Sequence, residues 1–144
     1  MARRLPSVVS RPWSPCREYD PRKPPDLDRV RSDAALLRLD QPIPAATAAP
    51  FVLYGDAQGI DQVSIVSYGR GRSEALSWQR DCGLLGREDG LIAFDCDVTF
   101  GSSSAPVFVR GGSRPRILSL VSSGGQSGDR SVAFGLELPR RWPG

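Results

Sequence analysis

The stretch from Cys82 to Cys96, CGLLGREDGLIAFDC, places a tight-turn signal between two apolar runs. Asp89-Gly90 favours a two-residue turn joining antiparallel strands. A hairpin around this turn brings the two cysteines together and permits a disulfide, which would indicate an oxidising compartment. Two reduced core cysteines are the alternative that the spacing leaves open. The third cysteine, Cys16, has no evident partner in the chain.

Short apolar runs recur on both sides of this hairpin, and several alternate with period two. They are residues 34–39, 51–54, 63–68, 75–78, 91–94, 107–109, 117–122 and 132–138. Glycine or proline punctuates nearly every gap, including Gly83, Gly86 and the pair at 124–125. No stretch sustains a helical repeat for three turns, apart from a weak one near the end. Short strands at this spacing predict an all-β fold built as an antiparallel β-barrel or sandwich.

The N-terminal region differs in composition from the rest of the chain. Residues 1–31 hold six of the 13 prolines, eight of the 19 basic residues and four of the 16 acids, giving +4, whereas the remaining residues carry −1. We interpret this region as an extended or disordered lead-in, followed by one domain at 32–139 and a short tail at 140–144. Its arginines are scattered among acids and prolines, a pattern that does not favour nucleic-acid binding.

Length and composition exclude several classes of protein. A chain of 144 residues with 40% hydrophobic residues is long enough for one domain with a real core. No apolar run approaches the roughly 20 residues of a membrane-spanning helix, so no membrane association is expected. Prolines and polar residues interrupt the N-terminal stretch where an export signal would need an apolar run. The chain has no histidine, which excludes His-based metal sites and a self-contained Ser/His/Asp triad.

A run of small residues between two apolar runs is the strongest candidate for chemistry. It reads GSSSAP at 101–106. Glycine two positions before Ser103 permits a turn that aims two backbone N–H groups at one point, and Pro106 fixes the exit into the next strand. A nucleophilic serine needs this arrangement of an exposed hydroxyl beside converging amides. A Ser/Gly loop that simply turns the chain is the alternative.

Residues 101–106 resemble the GDSGGP-type nucleophile loop of the trypsin/chymotrypsin superfamily, in the GxSGxP form of bacterial trypsin-like and glutamyl-endopeptidase-like members. SDAALLRL at 32–39 is similar to the family strand that begins with the triad aspartate. LSLVSSG at 118–124 looks like the strand that lines the primary specificity pocket, and VAFG at 132–135 looks like the next pocket wall. The resemblance covers about residues 33–139, and the motifs occur in the family's order.

The resemblance implies a trypsin-like second barrel with a remnant strand of the first, and it assigns roles to individual residues. Ser103 would be the nucleophile of a serine endopeptidase, and Asp33 would orient a catalytic imidazole. The backbone N–H groups of Gly101 and Ser103 would form the oxyanion hole. Cys82 and Cys96 lie where this barrel often carries a short-range disulfide.

The same resemblance implies how a substrate is bound. Ser122 and Gly124 would line the substrate cleft. Asp97 would lie near the base of the primary pocket and favour a basic side chain, with a solvent-facing Asp97 at a hairpin end as the alternative. The implied partner is a peptide or protein substrate, with no cofactor or metal. A complete family member would be monomeric, and secreted or periplasmic.

Three departures from the family pattern bear on activity. The chain has no catalytic histidine before Asp33, so Ser103 lacks the base that activates it, and the chain as given is expected to be inactive. Ser104 stands where the family has glycine, and Ser102 stands where many members have aspartate. Either the natural product starts upstream with the missing half, or the chain is a truncated pseudo-peptidase that binds peptides or proteins without cleaving them.

Overall fold

A computed structural model describes residues 11–15, 20, 22, 26–55, 58–71, 74–111 and 113–138. Within them the chain forms eight strands and one short helix. In chain order these elements are β1 (Arg11–Pro15), α1 (Leu27–Arg31), β2 (Ala35–Arg38), β3 (Gln62–Ser67), β4 (Ser77–Glu88), β5 (Leu91–Phe94), β6 (Pro106–Val109), β7 (Arg116–Ser127) and β8 (Arg130–Glu137).

Six of these strands close into one antiparallel barrel, in the order β3-β4-β5-β8-β7-β6. The ring closes where β3 pairs with β6, through Ser64 opposite Phe108 and Ile65 opposite Val107. The prediction of an all-β antiparallel barrel is therefore confirmed. Closure removes the free sheet edges that an open sheet would expose.

The β4–β5 hairpin turns at the predicted dipeptide. Asp89 and Gly90 both have positive φ, 48° and 77°, as a type I′ turn requires. The hairpin brings Cys82 and Cys96 into a disulfide, with 5.2 Å between their Cα atoms. Both cysteines are buried, so the disulfide is part of the core. The predicted pairing is confirmed, and such a bond is typical of proteins from oxidising compartments.

Apolar side chains from all six barrel strands fill the interior. The core cluster comprises Val63, Ile65, Cys82, Ile92, Phe94, Cys96, Ala105, Val107, Leu118, Val121 and Ala133. Ile92 and Phe94 are fully buried and alternate with the partly exposed Ala93, as expected for a strand with one face inward. Burying each such large side chain stabilises the fold by about 1.5–3 kcal/mol.

The segment before the barrel contains two elements that the sequence did not predict, β1 and α1. Strand β1 pairs antiparallel with β2 in a separate two-stranded sheet. Asp26 caps the N-terminus of helix α1, and its carboxylate accepts a hydrogen bond from the Arg29 N–H at 2.9 Å. At its end, the Arg31 side chain donates to the Asp89 carbonyl at 2.8 Å, which attaches the helix to the β4–β5 turn.

Other expectations concern residues outside the described part of the chain. Residues 1–10, Cys16 and the tail at 140–144 lie outside it. Among the described residues, no helix has the length and apolar character needed to cross a membrane.

Candidate functional site

The loop between β5 and β6 is built from two consecutive tight turns. The Ser102 N–H donates to the Thr99 carbonyl at 3.0 Å, and the Ala105 N–H donates to the Ser102 carbonyl at 3.0 Å. The Ser104 N–H donates to the Val121 carbonyl at 2.7 Å, which attaches the loop to β7. These bonds hold the backbone around Ser103 in one conformation.

Ser103 lies at the exposed crest of this loop. Among the described residues, no acceptor receives a hydrogen bond from the N–H groups of Gly101 or Ser103, or from the Ser103 hydroxyl. The two turns use the amides of Ser102 and Ala105, and the attachment to β7 uses the amide of Ser104. The two amides to which the family resemblance gives the oxyanion hole are therefore without an acceptor in the described structure.

Two residues of the loop adopt the left-handed backbone region. Gly101 has φ of 95°, and a Cβ added there would lie 2.8 Å from the Tyr68 carbonyl oxygen, so only glycine fits without a shift. Ser104 has φ of 65°, a region that residues with a side chain rarely adopt. Ser104 occupies the position where the family resemblance leads us to expect glycine, and the backbone there has a conformation that favours glycine.

The loop is also attached to β3 through a buried side chain. Ser102 is 3% exposed, and its hydroxyl donates to the Ser67 hydroxyl at 3.2 Å. A carboxylate at this buried position would need a cationic partner, whereas a neutral serine is satisfied by one hydroxyl.

A cleft of about 630 Å³ lies between this loop and β7. We call it the Ser103 cleft. Its lining includes Arg70, Val98, Phe100, Ser103, Ser122 and Gly124. A Cβ added to Gly124 would lie 2.4 Å from the Val98 Cγ2, so the missing side chain makes room for Val98 in the cleft wall. The structure thus brings together three of the residues predicted from sequence: Ser103, Ser122 and Gly124.

Asp33 reaches the same cleft through Ser122. The Ser122 hydroxyl donates to the Asp33 Oδ2 at 2.5 Å, across 89 positions of sequence. Ser122 lines the cleft with Ser103, so one serine connects the aspartate before β2 to the surroundings of the candidate nucleophile. A carboxylate acceptor makes such a hydrogen bond stronger than one between neutral groups.

Asp97 does not line the Ser103 cleft, whereas its neighbour Val98 does. The Asp97 side chain is exposed, and its carboxylate accepts a hydrogen bond from the Ser131 hydroxyl at 3.3 Å. The Asp97 N–H donates to the Gln79 side-chain oxygen at 2.9 Å. The charged residue in the described lining of the cleft is Arg70, a cation.

A second, larger depression of about 850 Å³ also reaches Ser103, and no sequence motif predicts it. We call it the aromatic groove. Its lining includes Phe51, Leu76, Trp78, Pro106, Phe108 and Arg110. Phe51 packs on Phe108, with ring centroids 5.1 Å apart. The sequence shows Leu76 and Trp78 as large apolar residues two positions apart, but it does not show that they face away from the core.

The described residues contain no group of three or more His, Cys, Asp or Glu side chains arranged to hold a metal ion. A scan against protein-family models and a search of curated proteins found no match to this chain.

Proposed function

We propose that this chain carries the nucleophile and the substrate cleft of a trypsin-like serine endopeptidase. Ser103 would attack the substrate carbonyl, the Gly101 and Ser103 amides would stabilise the oxyanion, and Asp33 would orient a catalytic imidazole. The peptide backbone would lie along β7 at residues 122–124. This assignment follows the family resemblance of three sequence motifs that meet at one cleft.

The hydrogen bond from Ser122 to Asp33 carries the proposal. A simple Ser/Gly turn gives no reason for an aspartate 70 positions before Ser103 to be attached to the strand that borders the same cleft. A serine peptidase gives a reason for this attachment, because its carboxylate must be held at a fixed position to orient an imidazole beside the nucleophile. The unused amides of Gly101 and Ser103 add a second, independent feature of an acyl-transfer site.

The chemical step needs one group that this chain does not contain. As the Ser103 Oγ forms a bond to the substrate carbonyl carbon, its proton must pass to a base. That base then returns the proton to the departing amine or alcohol as the bond to the carbonyl breaks. The chain has no histidine, so we expect no peptide hydrolysis by the chain alone and acyl transfer only when imidazole is supplied from outside.

Imidazole rescue with an activated ester tests this proposal. The full chain is incubated with a p-nitrophenyl ester of an N-acylated amino acid, with and without added imidazole, and its intact mass is measured. We expect an imidazole-dependent acyl adduct that maps to Ser103, because the oxyanion amides and the cleft would be in place. Glutamate, leucine and arginine esters should be compared, because Arg70 in the cleft lining favours an acidic side chain, whereas the family resemblance assigns a preference for a basic one.

Three variants provide the controls for this experiment. Ser103→Ala should abolish the adduct, whereas Ser127→Ala, at an exposed serine at the end of β7, should leave it unchanged. Asp33→Ala should reduce the imidazole-dependent rate. An adduct spread over several serines, and retained in the Ser103→Ala variant, would contradict the proposal.

A non-catalytic peptide-binding module is the second candidate, and one observation favours it. Strand β6 pairs with β7 only up to Pro106 opposite Leu120, whereas β8 follows β7 as far as Ser127 opposite Arg130. The β6-facing side of residues 122–127 therefore has no strand partner in the described structure. An extended peptide can add to such an edge through main-chain hydrogen bonds.

Neighbouring glycines offer a matched test of the binding module. Gly124→Ala would push a methyl group into Val98, whereas a Cβ at Gly125 meets nothing within 4 Å. If the chain binds peptides at this edge without acylation, Gly124→Ala should weaken binding and Gly125→Ala should not. Equal affinities of both variants and the parent chain would exclude this edge as the binding site.

A further inference from the structure

The aromatic groove exposes large apolar side chains that do not belong to the buried core of the barrel. Trp78 is 54% exposed and Leu76 is 58% exposed, although both are large apolar side chains. Tyr68, also in the groove lining, is half exposed. Isolated exposed apolar residues are ordinary, but a concave cluster of them marks an interaction site.

Arginine side chains surround this apolar surface. The Arg80 and Arg110 guanidinium carbons lie 4.3 and 5.1 Å from the Trp78 ring centroid, and that of Arg114 lies 5.9 Å from the Phe51 ring centroid. Within the described part of the chain, none of these three arginines forms a salt bridge. No carboxylate is found in the described groove lining. The groove thus combines an apolar floor with uncompensated positive charge.

We propose that the aromatic groove binds an extended peptide segment with an apolar side chain flanked by carboxylates. The apolar side chain would displace water from the exposed Trp78 and Leu76 side chains, and the flanking carboxylates would bind the guanidinium groups of Arg80 and Arg110. Arginine and tryptophan are the residues that most often dominate the affinity of a protein interface. Guanidinium groups bind carboxylates through two parallel hydrogen bonds, which adds specificity to the charge attraction.

The charge distribution favours this occupant over a second copy of the chain. A symmetric dimer through the groove would bring the same arginines of both copies together, and like charges across an interface oppose association. The groove shares Ser103 with the Ser103 cleft, but the residues proposed to bind the peptide are Trp78, Arg80 and Arg110. The proposal therefore goes beyond the proposed function and does not depend on acyl transfer.

Fluorescence anisotropy with labelled peptides tests the proposal on the full chain. The first peptide has a Leu-Phe centre with two glutamates on each side. The second has lysines in place of the glutamates, and the third has a Ser-Ser centre between glutamates. We expect the first peptide to bind at least about tenfold more tightly than either of the other two peptides. Its affinity should fall as the salt concentration is raised.

Variants of the groove identify where the peptide binds. Trp78→Ser should weaken binding of the first peptide by about tenfold or more, because it removes the apolar floor. The double variant Arg80→Glu/Arg110→Glu should reverse the preference between glutamate-flanked and lysine-flanked peptides. Arg130→Glu is the matched control, since it changes the same charge at the exposed β7–β8 turn and should leave affinity unchanged.

Several results would overturn the proposal. These are equal binding of glutamate- and lysine-flanked peptides, tighter binding of an oligodeoxythymidylate than of the first peptide, or dimerisation in sedimentation that Trp78→Ser abolishes. The acyl adduct at Ser103 is measured in parallel on Trp78→Ser. A variant that loses peptide binding and keeps the adduct separates the groove from the catalytic proposal, so each can fail alone.

Discussion

The barrel and the two-stranded sheet that precedes it are both antiparallel β structure, yet they differ in how their edges and apolar faces are covered. The barrel closes on itself and buries its apolar residues in a common core. In the β1–β2 sheet, Leu37 is more than half exposed, and the described structure pairs neither outer edge. We therefore expect most of the stability to come from the barrel. The candidate site includes residues from both regions, because Ser103 lies in a barrel loop and Asp33 lies just before β2.

The largest expected effect on stability comes from shortening a side chain in the barrel core. Ile92→Ala should lower the free energy of unfolding by about 2–5 kcal/mol, because it leaves a cavity at a fully buried position. Leu37→Ala on β2 should change it by less than about 0.5 kcal/mol, because that side chain is already exposed. Urea denaturation followed by circular dichroism measures both, and similar losses would show that the two regions share one core.

The disulfide is expected to be the next largest contribution. Its two cysteines are separated by 14 positions, and a cross-link of that length stabilises a fold by about 3 kcal/mol. The double variant Cys82→Ala/Cys96→Ala should lose that amount in guanidinium denaturation. Adding reductant should destabilise the parent chain and leave the variant unaffected. An equal response of both proteins to reductant would contradict a structural role for this bond.

A smaller effect is expected within the loop between β5 and β6, where Ser104 has a strained backbone conformation. Ser104→Gly should raise the free energy of unfolding by about 1 kcal/mol, because glycine adopts the left-handed conformation without steric cost. Gly101→Ala should lower it, since a Cβ there would clash with the Tyr68 carbonyl. Thermal unfolding of the two variants should shift the midpoint in opposite directions, and a shift in the same direction would exclude this account of the loop.

The smallest expected effect measures how the two regions are coupled. A double-mutant cycle with Asp33→Ala and Ser122→Ala should give a coupling energy of about 0.5–1 kcal/mol, typical of one partly exposed hydrogen bond. The matched cycle replaces Ser122→Ala with Ser131→Ala, whose hydroxyl donates to Asp97 instead. Equal coupling in both cycles would mean that Asp33 is not specifically attached to β7.

Much of the barrel could be predicted because its signals are local. The Asp89-Gly90 turn and the alternating runs predicted the β4–β5 hairpin and most of the strands. The run at 51–54 became only a single bridge between Leu53 and Ile117. The pairing of β8 with β7 extends no further than Glu137 opposite Ser119, so the backbone of Ile117 has no partner from β8. The chain around Leu53 pairs with Ile117 instead, through backbone hydrogen bonds.

Glycines inside strands are the main reason why the strand boundaries could not be predicted from the sequence. Gly83 and Gly86 were interpreted as turn punctuation, yet both lie inside β4. The pairing of β4 with β5 shifts register between Leu84 and Gly86, and a glycine permits such a bulge without ending the strand. A glycine in a strand and a glycine in a turn look alike until the partner strand is known.

The candidate site was only partly accessible from sequence. The loop at 101–106 is a contiguous motif, so Gly101 and Ser103 could be singled out from spacing alone as candidates for chemistry. Contact between Asp33 and Ser122 depends on how α1 and the following chain pack on the barrel, which no local pattern encodes. The aromatic groove was missed because an outward-facing Trp78 cannot be distinguished from a core residue until the strand's inner face is known.

The closure of β3 on β6 has a consequence for the order in which the barrel folds. Ile65 and Val107 meet across roughly 40 positions of sequence, so this seam must wait for a long loop to close, whereas the β4–β5 and β7–β8 hairpins form locally. The disulfide lies inside that loop and removes 14 positions from the path between the two strands. Shortening the loop by about a third lowers the entropic free-energy cost of closing it by about 0.4 kcal/mol. The barrel should therefore close about twofold faster when the disulfide is formed than when it is reduced.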